Sequence, residues 1–186
     1  MLPRGIRNNN PLNIRRSKDQ WKGLRAQQTD ASFCQFETLE YGWRAAFYLL
    51  TRTYYHKYRL YTIRAIISKW APPNENLTAT YIQNVSRLTG IPPDEPIGIP
   101  SDQPQRWMML GVAMAIQECG TDSLDYFAML RGWEEARSTC SGVGSADPSL
   151  FPSLAVVKDS LTTELSVSSS SLKILLTCKL KRTPAQ

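Results

Sequence analysis

Apolar residues recur at helical spacing through most of the chain that follows Thr38. Thr38 is a suitable N-cap, because its hydroxyl can accept a hydrogen bond from a free backbone N–H of the first helical turn. The apolar residues of the first stretch share one face of a helix: Trp43, Ala46, Phe47, Leu50 and Tyr54. This pattern predicts an amphipathic helix whose apolar face lies in the core.

Two further stretches follow the same period at about 62–70 and 78–88. Thr62 can cap the first of them, and the prolines at 72 and 73 must end it because proline cannot continue the backbone hydrogen bonds. Gly90 suits the left-handed position that often follows a helix. We therefore expect a helix on each side of the proline pair.

A strongly apolar helix is predicted at about 103–119, after the proline-rich loop 91–101. Asp102 and Gln105 have the spacing of a capping box at its start, and Gly120 suits its end. A last helix, capped by Asp122 or Ser123, is predicted to run to about residue 136. The chain then has about five helices.

The segment 12–36 has a different pattern. Three short strand-like stretches are separated by polar, turn-forming residues: "NIRRS" (13–17), "WKGLR" (21–25) and "SFCQF" (32–36). They predict a small three-stranded antiparallel sheet. The fold class is therefore α+β and mainly helical, with a small N-terminal antiparallel sheet followed by about five helices.

The composition changes after Arg137. Residues 138–186 are rich in Ser and Thr, contain Phe151 as their single aromatic residue, and end in the basic stretch "KLKRTPAQ". We expect a domain over 1–137 and a weakly ordered tail over 138–186.

The basic residues are concentrated at the start of the chain. Residues 1–69 contain 13 Lys and Arg against 4 Asp and Glu, whereas residues 70–186 contain 9 against 12. A basic first third suits an anionic partner such as a cell wall, nucleic acid or a membrane surface, or forms a solvated basic face.

Several functional classes lack their usual signals. No apolar run is long enough for a transmembrane helix, and the N-terminus lacks the apolar core of a secretory signal. We therefore expect cytoplasmic synthesis. The single histidine, His56, and four scattered cysteines do not have metal-ligand spacing, so neither a metal nor a cofactor is predicted.

Four blocks of the chain carry a family resemblance: "RGIRNNNPLNIRR" (4–16), "FETLEYGWRAAFYLL" (36–50), "TIRAIISKWAPPNENLTATYIQNVSRLTG" (62–90) and "AMAIQECG" (113–120). Over residues 4–137 the chain resembles lysozyme-like, virion-associated or endolysin-type proteins of phages and prophages, often labelled phage structural proteins. The resemblance implies a lysozyme-like fold, peptidoglycan glycan strands as partner, and association with the virion or release to the cell wall.

Glu118 is the first candidate for catalysis. Cleavage of a glycosidic bond needs a carboxylic acid that protonates the departing oxygen. Glu118 lies in the last turn of an apolar helix, where the negative end of the helix dipole disfavours its ionisation. The "Glu-x-Gly" ending at 118–120 also resembles the "Glu-Ser-Gly" of lytic transglycosylases. The alternative is an exposed carboxylate at a helix end.

Glu37 is the second candidate. On a strand over 33–37, Gln35 and Glu37 would share one face and could contact sugar hydroxyls or stabilise positive charge. The alternative is that this face of the sheet is simply exposed to solvent. Glu40, in the first turn of its helix, is better placed for a structural role.

Further residues are candidates for substrate binding. The amides of Asn8, Asn9, Asn10 and Asn13 can pair with sugar hydroxyls and N-acetyl groups, or they can shape a turn. Tyr41, Trp43 and Trp70 can stack on sugar rings, although Trp43 and Trp70 follow the helical core spacing and are predicted to be core residues. Glu75 can cap the helix that follows it or line the cleft.

These observations favour a peptidoglycan-cleaving glycosidase of muramidase or lytic transglycosylase type, of phage or prophage origin. The first alternative is a non-catalytic phage structural or cell-wall-binding protein that contacts other virion proteins. The second is a nucleic-acid-binding module that uses Arg4, Arg7, Arg15 and Arg16.

Overall fold

Most of the protein is helical in the computed structural model, which describes residues 2–72 and 77–138. The short helix α1 spans Arg4–Arg7 and precedes a long irregular segment. The other helices are α2 Leu39–Tyr48, a π-helix Leu49–Lys57, α3 Ile63–Trp70, α4 Thr78–Thr89, α5 Pro104–Cys119 and α6 Tyr126–Ser138. The tail predicted for 138–186 lies outside the described residues, apart from Ser138.

Local sequence signals explain several helix ends. The Thr62 hydroxyl accepts a hydrogen bond from the backbone N–H of Ala65 at 3.2 Å and so caps α3. Gly90 and Gly120 follow α4 and α5 in the left-handed conformation. α6 is capped by Asp125, whose carboxylate accepts from the backbone N–H of Ala128 at 2.9 Å, so the cap lies beyond the predicted positions 122 and 123.

α2 continues directly into the π-helix, which widens the same helical rod. The hydroxyl of Thr51 donates to the carbonyl of Phe47 at 2.7 Å at this junction. Leu50 of the π-helix continues the buried stripe of α2, whereas Tyr54, further along, lines a surface groove. π-helices are rare and frequently occur at functional sites.

The core is built mainly where α2 packs along α6. Phe47 is completely buried; its ring stacks on Trp43 and meets Trp133 edge-on. Gly132 permits this close approach, because a Cβ there would lie 2.4 Å from the Cβ of Trp43. The predicted buried face of the first long helix is thus confirmed for Trp43, Ala46, Phe47 and Leu50, which are completely buried, whereas Tyr54 is only partly buried.

The predicted antiparallel sheet is wrong. No β-strand forms within 2–72 and 77–138; the first of these ranges contains only isolated antiparallel bridges, Arg15 with Phe33 and Leu24 with Phe36, and a third bridge joins Thr62 to Pro96. The prediction of a mainly helical chain holds, but the α+β class with a small N-terminal sheet does not.

Side-chain amides supplement the isolated backbone bridges in this segment. The Asn10 amide donates to the carbonyls of Ile14 and Cys34 and accepts from the backbone N–H of Ile14. The Gln28 amide pairs in the same way with both backbone groups of Gln35. The carbonyls of Ile14 and Gln35 also accept from the backbone N–H groups of Cys34 and Arg25, so amide and backbone bonds together hold this segment.

Asp30 fixes the N-terminal segment to this loop. Its carboxylate accepts two hydrogen bonds from the Arg4 guanidinium, at 2.7 and 2.6 Å, one from the Asn8 amide at 2.7 Å, and two from the backbone N–H groups of Ser32 and Phe33. The Arg4 contact, together with the other donors, holds the pKa of Asp30 well below its usual range. The N-terminus is therefore held by one nearly buried carboxylate.

We expect Asp30→Asn to lower the free energy of unfolding by roughly 1–3 kcal/mol, because an amide cannot accept all five bonds. Because the pKa of Asp30 is lower in the folded protein, its carboxylate contributes its full stabilisation at pH values above its unfolded pKa of about 4. This contribution is lost progressively as the pH falls below that value. Urea unfolding between pH 7 and pH 3 measures both effects, and the variant should show a shallower loss in acid.

Asp94→Asn is the matched control. Asp94 also pairs with an arginine, Arg64, at 2.7 Å, but both side chains are at least half exposed. Exposed ion pairs contribute little to stability. Equal destabilisation by the two substitutions would contradict the role given to Asp30.

Candidate active site

A groove of about 370 Å³ runs between the N-terminal segment, the π-helix and the C-terminal ends of α3 and α5. Aromatic rings form much of its wall: Trp21, Phe33, Tyr54 and Trp70. Its polar side chains include Asn13, Ser17, Asp19 and Glu118. A groove that combines ring faces with a few polar groups suits a carbohydrate or a similar ring-bearing ligand.

Glu118 lies in this groove with its carboxylate held by three donors. The indole N–H of Trp70 and the hydroxyl of Tyr81 both donate to Oε1, each at 3.0 Å. The Asn13 amide donates to Oε2 at 3.2 Å and to the backbone carbonyl of Glu118 at 3.3 Å. The half-buried carboxylate is therefore fixed in position by α3, α4 and the N-terminal segment.

The distribution of these bonds leaves one acceptor position open. A carboxylate has about four lone-pair sites, two on each oxygen. Trp70 and Tyr81 occupy those of Oε1, whereas Oε2 receives only the Asn13 amide. The open position on Oε2 is the place where a proton can be carried.

Two neighbours of Glu118 stay protonated near neutral pH. Burial, and then the charge of Glu118, raise the pKa of Tyr81 well above its usual value. The same two causes raise the pKa of Cys119 to about 11. Tyr81 therefore keeps its hydroxyl proton and remains a hydrogen-bond donor to Glu118.

Among the predicted asparagines, Asn13 reaches the groove. It adopts a positive φ of 49° in the loop after α1, and this conformation directs its amide to Glu118. Asn9 and Asn10 build the loop instead: Asn9 bonds the carbonyls of Phe36 and Glu37, and Asn10 is fully buried.

Other predicted residues lie away from Glu118. Gln35 is buried and accepts hydrogen bonds from Thr29 and from the backbone N–H of Asp30. Tyr41 lies over Gly23, where its ring fills the space that a Cβ would need. Neither residue lines the groove.

Three other carboxylates were considered in the sequence analysis: Glu37, Glu75 and Glu40. Glu37 is exposed and is not part of the groove wall, and Glu75 lies outside the described residues. Glu40 accepts two hydrogen bonds from Arg131, one of them at 3.0 Å, and this contact is the main reason that its pKa falls to about 2. This geometry supports the structural role predicted for Glu40.

Sequence reasoning missed two residues of this site and preferred the wrong place for a third. Asp19 is a second carboxylate on the groove wall, and Tyr81 donates to Glu118 from α4. Trp70, predicted to be a core residue, is partly exposed and lines the groove. Helical spacing placed Tyr81 and Trp70 on apolar faces, but it could not show where the hydroxyl and indole N–H point. The proline pair after Trp70 was the available signal that this helix ends at an irregular, accessible place.

The basic N-terminal arginines are partly engaged within the protein. Arg4 pairs with Asp30, and Arg16 donates to the backbone carbonyl of Asp30 at 3.2 Å. Within residues 2–72 and 77–138, no three metal-ligating side chains come together. No helix in these same ranges has both the length and the hydrophobicity to cross a membrane.

Comparison with known proteins shows a phage relative. Protein P5 of Pseudoalteromonas phage PM2 is 38% identical to this chain over 134 residues, which make up 70% of this chain and 80% of P5. The chain belongs to the family of this phage protein. This similarity confirms the expected phage origin. It does not support the expectation that the protein is lysozyme-like or an endolysin. The chain matches no protein-family model.

We expect Trp70→Phe to destabilise the protein by roughly 1.5–3 kcal/mol, because it removes a hydrogen bond to a charged, half-buried group while keeping an aromatic ring. Trp21→Phe is the matched control: Trp21 lines the same groove, but its indole N–H has no partner in the described part of the chain. Urea unfolding of both variants measures the difference. If the Trp21 variant loses as much stability, ring size and not the bond to Glu118 accounts for the effect.

Proposed function

We propose that this phage-family protein cleaves the glycan strands of peptidoglycan and that Glu118 is its catalytic acid–base. One observation carries the proposal: a half-buried carboxylate is fixed by three donors in an aromatic-walled groove and keeps one acceptor position open. A glycosidase needs a carboxyl group held in a defined position beside the glycosidic oxygen.

The reaction starts from the protonated form of Glu118, whose proton occupies the open position on Oε2. In the first step this proton passes to the glycosidic oxygen as the bond to the anomeric carbon breaks. The bonding electrons leave with the departing sugar, and positive charge develops at the anomeric carbon. Trp70 and Tyr81 then stabilise the carboxylate that remains, since both donate to its other oxygen.

The second step restores the proton to Glu118. In a hydrolase, water adds to the anomeric carbon and gives up a proton; in a transglycosylase, a hydroxyl of the same sugar adds and an anhydro product forms. Asp19, on the same groove wall, is the carboxylate that can support the positive charge. Glu37 takes no part in this scheme, because it is exposed and outside the groove wall.

The groove walls account for substrate binding. The rings of Trp21, Tyr54 and Trp70 offer flat apolar faces to sugar rings, while Asn13 and Ser17 supply polar groups. As a member of a phage protein family, the protein reaches its substrate either in the virion, beside other virion proteins, or by release to the cell wall.

We expect Glu118→Gln to lower the rate of peptidoglycan cleavage by at least about 100-fold, since an amide cannot deliver the proton. The amide oxygen can still accept from Trp70 and Tyr81, so we expect folding to persist. Clearing of purified sacculi measures activity, and circular dichroism checks the fold. Glu37→Gln, which changes an exposed carboxylate outside the groove wall, is the control and should retain full activity.

The products identify the reaction. Anhydro sugar ends in mass spectra of digested sacculi indicate a transglycosylase, and reducing ends indicate a hydrolase. Unchanged cleavage by the Glu118 variant would remove Glu118 from the mechanism. If the wild type binds sacculi but releases no fragments, the protein is a wall-binding protein and not an enzyme.

A further inference from the structure

A second groove of about 780 Å³ adjoins the one that holds Glu118. The two share Asp19, Trp21, Leu49 and Tyr54 on their walls, so a single extended ligand can occupy both. The first groove contains Glu118 and one cation, Arg15, whereas the second contains four cations, Lys22, Arg44, Lys57 and Lys69; Asp19 belongs to both walls. We therefore expect a ligand that lies along both grooves to place its anionic group in the second one.

Arg44 gives the second groove its unusual chemistry. It projects from α2 onto the groove wall, yet only 7% of its surface is exposed. Its buried Nε has no hydrogen-bond partner in the described part of the chain, and no carboxylate there pairs with its guanidinium. A buried charge without a partner is costly, so this guanidinium is suited to receive an anion from a ligand.

Two of the three lysines on the same wall reinforce this charge. Lys57 and Lys69 both contact Tyr58, with their Nζ atoms 5.7 and 5.3 Å from its ring centre. Lys22 is the exception, because its Nζ forms an ion pair with Glu135 at 2.8 Å. Lys57 and Lys69 have no carboxylate partner among the described residues, so their charges face the groove and the solvent.

We infer that the groove around Arg44 is a subsite for a carboxylate of the peptide stem that branches from the peptidoglycan glycan. This inference rests on the proposed function, since it places the glycan itself beside Glu118. Peptidoglycan combines neutral sugar rings with stem peptides that carry free carboxylates at intervals. That spacing fits two adjoining grooves with most of the cations in one and Glu118 in the other.

A nucleic acid fits this distribution less well. Its backbone carries a phosphate at every nucleotide, so a strand lying along both grooves would bring phosphates against Asp19 and Glu118. Like charges at close range oppose binding. Because the two grooves differ in charge, they favour a polymer that carries charged groups only at intervals.

Binding to sacculi tests the subsite without reference to activity. The full chain carrying Glu118→Gln is mixed with Gram-negative sacculi, either intact or stripped of their stem peptides by an amidase, and the bound fraction is measured by co-sedimentation. We expect about tenfold tighter binding to intact sacculi, the gain that one charge-assisted contact provides. Arg44→Met should remove this gain and leave binding to stripped glycan unchanged.

The double variant Lys57→Gln, Lys69→Gln protects the test against a folding defect of the Arg44 variant, because both lysines are on the surface. It should reduce the preference for intact sacculi in the same direction. Lys18→Gln, an exposed lysine outside the groove wall, is the matched control and should retain the preference.

The possible outcomes distinguish a failure of the subsite from a failure of the proposed function. Equal binding to intact and stripped sacculi overturns the subsite but leaves the glycan proposal intact. No binding to either form overturns both. Arg44-dependent binding of a single-stranded oligonucleotide, with no preference for intact sacculi, assigns the groove to a phosphate polymer and overturns the carboxylate proposal.

Discussion

The hydrogen bonds to Glu118 are the constraint on which the candidate site depends. One carboxylate joins Asn13, Trp70 and Tyr81, which are 105, 48 and 37 residues away in the sequence. Each partner lies on a different element, so these contacts hold the ends of α3 and α5, the side of α4 and the N-terminal loop together. The same contacts that organise this region also fix the carboxylate at the groove, and structure and chemistry therefore depend on the same atoms.

The N-terminal loop can position Asn13 because its backbone is satisfied by side chains instead of by a sheet. Asn10, Gln28 and Gln35 bond backbone groups that a ladder would otherwise use, and Asp30 ties the loop to Arg4. Such a loop is irregular but well bonded. It can therefore hold Asn13 at a positive φ, which a regular strand would not allow.

The two adjoining grooves differ in the charged side chains that line them. In the proposed function, Glu118 acts in the first groove, and Arg44 with Lys57 and Lys69 binds an anion in the second. The π-helix lies beside both grooves and contributes Leu49 and Tyr54 to each. Such π-helical segments are rare and frequently occur at functional sites.

The sequence by itself determined most of the helices, because their apolar spacing, the Thr62 cap and the glycines at 90 and 120 act over a few residues. It also singled out Glu118 and Asn13, since a carboxylate at a helix end and an asparagine in a turn are local signals. It did not determine that the N-terminal segment forms isolated bridges held by side-chain amides, because these amides reach backbone groups up to 24 residues away. Only the tertiary structure brought Asp19, Trp70, Tyr81 and Arg44 to the grooves, because the direction of a side chain and the partner it meets are decided by how distant helices pack.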